Sequence, residues 1–190
     1  PRPHTVGSTR SAAACRGIST VGEAGAVMAA PFDPARTITA LVRHEVDFVL
    51  IGGLAGALHG SPAATNDADI CPARTPENLS RLSAALVELD ARIRTESEPD
   101  GLAFDRAPEF LAVVELLNTT TVAGDLDISF VPIGTGGYDD LSERAVEFDI
   151  GDVRVRVASL DDIIHSKRTA GRPKDLATLP LLEALRDELA

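Results

Sequence analysis

Two pairs of aspartates, each separated by a single residue, carry the strongest chemical signal in this 190-residue sequence. The first pair is Asp67 and Asp69 in "NDADI", and the second is Asp125 and Asp127 in "GDLDISF". Because alternate residues of a strand point to one side of a sheet, each pair places two carboxylates on a common face. Like charges at this spacing raise each other's pKa unless a cation compensates them. The pattern therefore indicates a divalent cation held by oxygen ligands, most plausibly Mg²⁺.

An isolated D-x-D is more often a turn or a solvated strand end, and that interpretation stays open for each pair taken alone. A second D-x-D on a β-prone run and a glycine pair upstream both favour the metal site. If the second strand pairs beside the first, Asp127 adds a third carboxylate to Asp67 and Asp69. Three carboxylates suit a site with two metal ions roughly 3.5–4 Å apart.

Gly52 and Gly53 directly follow the apolar run "DFVLI". Glycine lets the backbone come close to a ligand, and the amides at the start of the next helix are free to bind an anion. We expect a phosphate site here, which a divalent ion on Asp67 and Asp69 would bridge to the carboxylates. The glycines and the acids thus predict one metal–triphosphate site.

The elements that position these residues are predicted from hydrophobic periodicity and from helix-end signals. Asp33 followed by Pro34 predicts a helix over 34–45. The later elements are a strand through "DFVLI", a helix over 53–59, a strand at "ADICPA", a helix beginning near Pro76, short strands and loops over 91–110, a hairpin turning at Ala123-Gly124, a helix near 138–145, a hairpin turning at Gly151-Asp152, a helix from Ser159 to about Ala170, and a helix over roughly 178–189. This order predicts an α/β (α+β) domain with a small mixed sheet flanked by helices.

Composition sets broad limits on function. A net charge of −11 argues against broad non-specific binding to nucleic acid. No apolar run reaches the roughly 18 residues of a membrane span, so no membrane partner is expected. The two cysteines, Cys15 and Cys71, lie far apart and indicate neither a disulfide framework nor a zinc site, so a reducing cytoplasm is the expected location.

Residues 1–30 show no sustained period, and Met28 in "MAAPFDPARTI" resembles a natural start. We expect residues 1–30 to be a flexible N-terminal extension without a part in the chemistry. Residues 31–190 are then one domain that ends in helices.

One dense basic cluster lies near the C-terminus: His165, Lys167, Arg168, Arg172 and Lys174. Such a cluster can be a solvated helix end, favourable to the helix dipole. We favour a phosphate or RNA contact, which would focus positive potential at one place on an acidic protein. Arg154 and Arg156 alternate on the late hairpin, where solvation is the ordinary interpretation and an acceptor-strand groove is the alternative.

An apolar strand, a glycine turn, a D-x-D and a third acid on a later strand together resemble the signature of the nucleotidyltransferase superfamily, whose fold is shared with DNA polymerase β. The tail "SLDDIIHSKRTAGRPKDLATLPLLEAL" resembles more closely the AbiEii/MenT-type nucleotidyltransferase toxins of bacterial toxin–antitoxin systems. The resemblance covers about residues 35–190, and the combined motifs are more specific than any one alone.

The resemblance implies a role for each matching residue. Asp67, Asp69 and Asp127 would be the metal ligands, and Asp127 would also assist deprotonation of the incoming hydroxyl. The other matching residues are Gly52 and Gly53 as the phosphate turn, Lys167 as the lysine that contacts the nucleotide phosphates, Asp175 as an acid that orders the site, and Thr65 as the threonine before the acids. The resemblance implies that these five residues bind the nucleotide, and that Lys167 is catalytic together with the three aspartates.

Two departures from the pattern matter. The turn is Gly-Gly where many superfamily members have Gly-Ser, and the loop "SPAAT" lacks an arginine that close relatives often carry. The missing cation would weaken triphosphate binding or move its role to Arg168, Arg172 or Lys174.

The resemblance implies an Mg²⁺-dependent toxin that transfers a nucleotide, with CTP as the expected donor, to the 3′ end of tRNA. A modified tRNA end cannot be aminoacylated, so translation would stop, and an antitoxin protein would be the partner. Two alternatives stay open. One is a nucleotidyltransferase acting on a small molecule such as an antibiotic, or on a protein side chain; the other is a non-catalytic nucleotide-binding module.

Overall fold

A seven-stranded mixed sheet forms the centre of the part of the chain that the computed structural model describes, residues 31–98 and 100–189. Its strands are β1 (Phe48–Ile51), β2 (Asp67–Pro72), β3 (Arg92–Ile93), β4 (Leu116–Thr121), β5 (Gly124–Ser129), β6 (Val146–Ile150) and β7 (Val153–Val157). Their order across the sheet is β3-β4-β5-β2-β1-β7-β6. The expected N-terminal extension, residues 1–30, lies outside the described residues.

Helices flank the sheet, which confirms the predicted fold class. They are α1 (Pro34–Arg43), α2 (Gly52–Leu58), α3 (Pro76–Glu88), α4 (Pro108–Leu111), α5 (Tyr138–Arg144), α6 (Leu160–Ala170) and α7 (Pro173–Leu189). Side chains of Asp33, Thr75 and Ser159 each accept a backbone N–H of the first turn and so begin α1, α3 and α6. Among the described helices, none has the length and apolar character needed to cross a membrane.

The strand register brings the two D-x-D pairs side by side. β2 pairs antiparallel with β1, with Asp69 opposite Ile51, and parallel with β5, with Asp69 opposite Asp127 and Asp67 opposite Asp125. β4 and β5 form the predicted hairpin. The sequence predicted Asp127 as a third carboxylate only if the two D-x-D strands pair, and the structure shows that they do.

Alternation along β2 and β5 explains why the acids share a face. Ala68, Ile70, Leu126 and Ile128 are all 0% exposed and point into the core, whereas the intervening aspartates are half-buried on the other side. Burial of apolar area stabilises a fold by roughly 25 cal/mol per Å². Because the apolar residues of these strands face the core, the alternate aspartates face the opposite side of the sheet.

The structure differs from the predicted elements most clearly at three places. The first helix ends at Arg43 because Glu45 has a left-handed φ of 55°, which no helix continues through. The last helix begins at Pro173 rather than near residue 178, and it runs through Pro180. Proline removes the hydrogen bond to the carbonyl four residues earlier, and Leu176 at that position is exposed to solvent, which can replace the bond. The short α4 lies where strands and loops were predicted.

Truncation of the core side of β5 is expected to destabilise the protein strongly. Leu126→Ala should lower the free energy of unfolding by about 3 kcal/mol, because it leaves a cavity beneath the acidic face. Leu116→Ala is the matched control, since Leu116 lies on neighbouring β4 but is 60% exposed, and it should cost under about 0.5 kcal/mol. Urea unfolding measures both, and equal losses would contradict the assignment of the two faces.

Candidate metal and nucleotide site

Three carboxylates converge at the adjoining ends of β2 and β5. One oxygen from each of Asp67, Asp69 and Asp127 lies within 4.8 Å of the other two, and all three residues are half-buried. Neighbouring parallel strands impose this arrangement, because they place the alternate residues of both strands on one face. Hard oxygen ligands at this spacing are the donors that Mg²⁺ takes in proteins.

Nearby cations compensate the negative charge of the cluster only in part. Burial, followed by the charges of Asp67 and Asp127, raises the pKa of Asp69 to about 7, against the opposing effects of the Gly53 N–H and Lys174. Burial also raises the pKa of Asp127, although Arg94 opposes it. Divalent cations relieve this kind of repulsion, so the residues present fit a metal ion.

The glycine turn is shaped by the acidic cluster itself. Gly52 has a left-handed φ of 68°, and any side chain there would collide with the Asp69 carboxylate. A Cβ on Gly53 would lie 2.6 Å from Thr65 Oγ1. The Gly53 N–H is near enough to the Asp69 carboxylate to oppose the rise of its pKa. The turn therefore holds Asp69 in place, and its part as a phosphate turn stays a prediction.

Thr65 positions the first aspartate of the cluster. Its hydroxyl donates to Asp67 Oδ1 at 2.7 Å, which fixes the direction of that carboxylate. Thr65 was predicted as a nucleotide-binding residue, and the contact that the structure gives it is with a proposed metal ligand. Contacts of this kind orient metal ligands in many proteins.

A second charged group lies where α6 meets α7. Asp175 is 1% exposed, and it accepts hydrogen bonds from Lys167 Nζ at 3.2 Å and Arg172 Nε at 2.5 Å. Burial works to raise the pKa of Asp175, but these two hydrogen bonds outweigh it and hold the pKa below its usual value. The buried carboxylate thereby anchors Lys167, the lysine that the sequence assigned to the nucleotide phosphates.

One cleft of about 730 Å³ joins the acidic and the basic groups. It is lined by the predicted residues Gly52, Gly53, Thr65, Asp67, Asp69, Asp127, Lys167, Arg172, Lys174 and Asp175. Arg168 does not line it, and its guanidinium pairs with Glu183 at 2.5 Å instead. Of the cations expected to replace the missing loop arginine, Arg172 and Lys174 are thus at the cleft and Arg168 is not.

Arg94, which was not among the predicted site residues, follows β3 and lines the same cleft. Its Nη2 donates to Asp127 Oδ1 at 3.0 Å, and its Nε lies 3.1 Å from Asp125 Oδ2. The backbone N–H of Arg94 donates to the carbonyl of Asn118 on β4, which sets it beside β5. No local signal in the ambiguous segment 91–110 links it to the acids, because only the pairing of β3 with β4 brings them together.

Several other polar side chains contact neighbouring groups of the protein outside the acidic cluster. Arg154 pairs with Asp149, and Arg156 pairs with Asp47, at the opposite edge of the sheet. His44 bonds Glu88, and His59 contacts the carbonyl of Ala158. Cys71 is buried, and burial raises the pKa of its thiol to about 12, as fits an inert core residue.

No protein-family model and no curated protein matches this sequence. Solved structures do match its fold. The antibiotic-resistance factor ANT(2'')-Ia is 15% identical over 82% of this chain and 90% of its own, with a TM-score of 0.51. The lincosamide antibiotic adenylyltransferase LnuA, bound to lincomycin, is 13% identical over 79% of this chain and 94% of its own, with a TM-score of 0.52.

At these identities the likeness shows the fold. The chain therefore shares its fold with these two proteins, one of which is named an adenylyltransferase, and this agrees with the fold that the sequence resemblance implied. Neither of these two structures is a toxin by name, so the closer resemblance to AbiEii/MenT-type toxins stays a prediction.

The raised pKa of Asp69 predicts a pH dependence of stability. The carboxyl titrates near pH 7 when folded and near 3.8 when unfolded, so the folded state binds more protons between these values. Stability therefore falls as the pH rises through this window. Without divalent cations, Asp69→Asn should be more stable than the wild type by about 2 kcal/mol at pH 8, and this advantage should disappear near pH 4.

Urea unfolding across this pH range, in the presence of a chelator, measures the difference. Asp161→Asn is the control for the loss of one carboxylate, because the Asp161 side chain is 79% exposed and lies on the outer part of α6. An advantage of Asp69→Asn that does not change with pH would show that ionisation of the Asp69 carboxyl is not its cause.

Proposed function

We propose that this protein is an Mg²⁺-dependent nucleotidyltransferase. It transfers a nucleotidyl group from a nucleoside triphosphate to an acceptor hydroxyl and releases pyrophosphate. The observation that carries the proposal is the convergence of Asp67, Asp69 and Asp127 in the same cleft as Lys167 and Arg172. Acidic metal ligands and cations in one cleft suit a polyphosphate ligand, because the anion needs both bridging ions and direct positive charge.

The cations of the cleft would bind the triphosphate. Lys167 is held by the buried Asp175, so its ammonium group is directed before the ligand arrives. The Arg172 side chain is 60% exposed, and both Arg172 and Lys174 line the cleft. An arginine can present two parallel donors to a phosphate, which compensates for the missing cation in the Ala63-Ala64 loop.

The acidic cluster would hold the metal ions. Asp67, Asp69 and Asp127 supply the ligands, while Thr65 fixes the direction of Asp67 and the Gly52 backbone packs against Asp69. When bound, Mg²⁺ supplies charge neutralisation for the triphosphate and polarises the reacting oxygens. The contribution of the chain is to keep the three carboxylates converged.

In the transfer step, the acceptor oxygen attacks the α-phosphorus in line with the bond to the bridging oxygen of the β-phosphate. That bond breaks as the new phosphorus–oxygen bond forms, and pyrophosphate leaves with the bonding electron pair. Asp127 accepts the proton of the acceptor hydroxyl. Its raised pKa, caused mainly by burial, makes it a better proton acceptor than a solvated aspartate.

For the acceptor we propose the 3′ end of tRNA, with CTP as donor, as the resemblance to AbiEii/MenT-type toxins implies. The segment that carries this resemblance also supplies Lys167, Arg172, Lys174 and Asp175 to the cleft. An acidic protein contacts RNA best where its cations are concentrated, and the cleft is such a place. Modified tRNA would block translation in the cytoplasm, and an antitoxin would restrain the enzyme.

A small hydroxylated molecule is the alternative acceptor. The volume of the cleft, about 730 Å³, lies within the range of small-ligand sites in proteins. Two solved structures with this fold are named for antibiotic resistance or for adenylylation of an antibiotic. The same cleft can therefore serve either acceptor class, and experiment separates them.

A transfer assay tests the activity and the acceptor together. Each of the four α-³²P-labelled triphosphates is incubated with the protein, Mg²⁺ and either total tRNA or a panel of hydroxylated antibiotics. We expect label from CTP on tRNA, and loss of transfer by about a thousandfold in Asp69→Ala. Asp149→Ala is the matched control, because Asp149 is an exposed acid on β6 at the far edge of the sheet, and it should transfer as the wild type does.

Label on antibiotics alone, or on protein alone, would replace the tRNA assignment and keep the enzyme. No transfer from any triphosphate, together with nucleotide binding that survives Asp69→Ala, would contradict the proposed activity and favour a non-catalytic binding module.

A further inference from the structure

Arg94 lies on the acidic cluster, yet it contacts only one member of it. Its guanidinium donates to Asp127 at 3.0 Å and forms an ion pair with Asp125 at 3.1 Å, both of which are on β5. The Asp127 side chain is 19% exposed and the Arg94 side chain 31%, so water screens this contact only in part. The positive charge of Arg94 is thus placed on the β5 side of the cleft.

The β2 side of the cluster has no such partner. Within residues 31–98 and 100–189, no lysine, arginine or histidine forms an ion pair with Asp67 or Asp69. Neutral groups contact these carboxylates: the Thr65 hydroxyl donates to Asp67, and the backbone of Gly52 packs against Asp69. The three carboxylates are therefore unequal, since Asp127 forms an ion pair with an arginine and the other two form none.

The interaction between Arg94 and Asp127 is weak enough for a competing ligand to displace it. One hydrogen bond joins them, and the buried Nε of Arg94 makes no hydrogen bond, despite its distance of 3.1 Å from Asp125. The backbone of Arg94 stays anchored to Asn118, so the guanidinium can move while its base is fixed. Arginine suits this position because its planar guanidinium can reach two carboxylates at once.

We propose that Arg94 is a positioning residue that occupies Asp127 in the nucleotide-free protein. The free protein then binds one divalent cation, at Asp67 and Asp69, and Arg94 withholds Asp127 from a second. This inference rests on the proposed metal-dependent function and deepens it, because it divides the acidic cluster into two parts. Asp67 and Asp69 form a first cation site, and Asp127 belongs to a guarded site that is available only when Arg94 leaves it. A site of this kind completes its set of cations only when a further ligand, such as a triphosphate, supplies additional negative charge.

Binding of Mn²⁺ to the nucleotide-free protein tests the inference without any measurement of activity. Electron paramagnetic resonance of unbound Mn²⁺ gives the number of ions bound and their affinities. The wild type should bind one Mn²⁺ tightly. Arg94→Gln should bind a second Mn²⁺ about tenfold more tightly than the wild type does, because a charged hydrogen bond no longer competes for Asp127.

Two variants serve as controls. Arg94→Lys keeps the charge and should restore binding close to that of the wild type. Arg106→Gln removes an arginine that pairs with Asp90 at 3.0 Å, outside the residues that line the cleft, and it should bind Mn²⁺ as the wild type does. Equal binding by Arg106→Gln and Arg94→Gln would mean that net charge alone sets the affinity, which overturns the inference.

The outcomes separate this inference from the proposed function. Mn²⁺ binding by Arg94→Gln that matches the wild type overturns the role of Arg94 and leaves the metal site intact. Absence of Mn²⁺ binding by the wild type overturns the metal site itself. If Arg94→Gln does not fold, the wild type still decides, because uptake of two Mn²⁺ with similar affinity contradicts a guarded Asp127.

Discussion

Repulsion between three carboxylates on one face of a sheet is the constraint on which the rest of this structure depends. Burial of the opposite face imposes it, because Ile70 and Leu126 fill the core only in this register. A slip of one residue would exchange the faces and bury the acids. Hydrophobic burial therefore stabilises a concentration of negative charge that would otherwise disperse. Burial first, and then the charges of Asp67 and Asp127, raise the pKa of Asp69, and a bound cation would favour its charged form.

The surroundings of the cluster are adapted to this constraint by close, specific contacts. Glycine at position 52 leaves room for the Asp69 carboxylate, and Thr65 directs Asp67. On the other side of the cleft, the buried Asp175 organises cations that would meet a polyphosphate. Burying that carboxylate is tolerable because both of its oxygens are bonded to cations. The cleft thus presents acidic side chains that suit metal ions on one side and basic side chains that suit phosphates on the other. Contacts within the protein position both groups of side chains.

The sequence predicts features that depend on local pattern, and it fails where distant segments meet. Alternation in "NDADI" and "GDLDISF" predicted that each pair of acids shares a face, and turn residues predicted the hairpin that carries Asp127. Arg94 was not predicted as a site residue, because its place beside Asp127 is set by strand pairing between segments more than thirty residues apart in the chain. Arg168 was grouped with Lys167, although adjacent helical residues point about 100° apart, and only the packing of α6 on α7 decides which one faces the cleft.

A crystal structure of the protein soaked with Mn²⁺ and a non-hydrolysable CTP analogue would show whether the acidic cluster and Lys167 form one site. Anomalous scattering locates Mn²⁺ independently of the rest of the density. We expect Mn²⁺ bound by the carboxylate oxygens of Asp67, Asp69 and Asp127 at about 2.0–2.3 Å, with the phosphates between the metal and Lys167. Mn²⁺ bound elsewhere, or a nucleotide whose phosphates lie outside this cleft, would contradict this expectation.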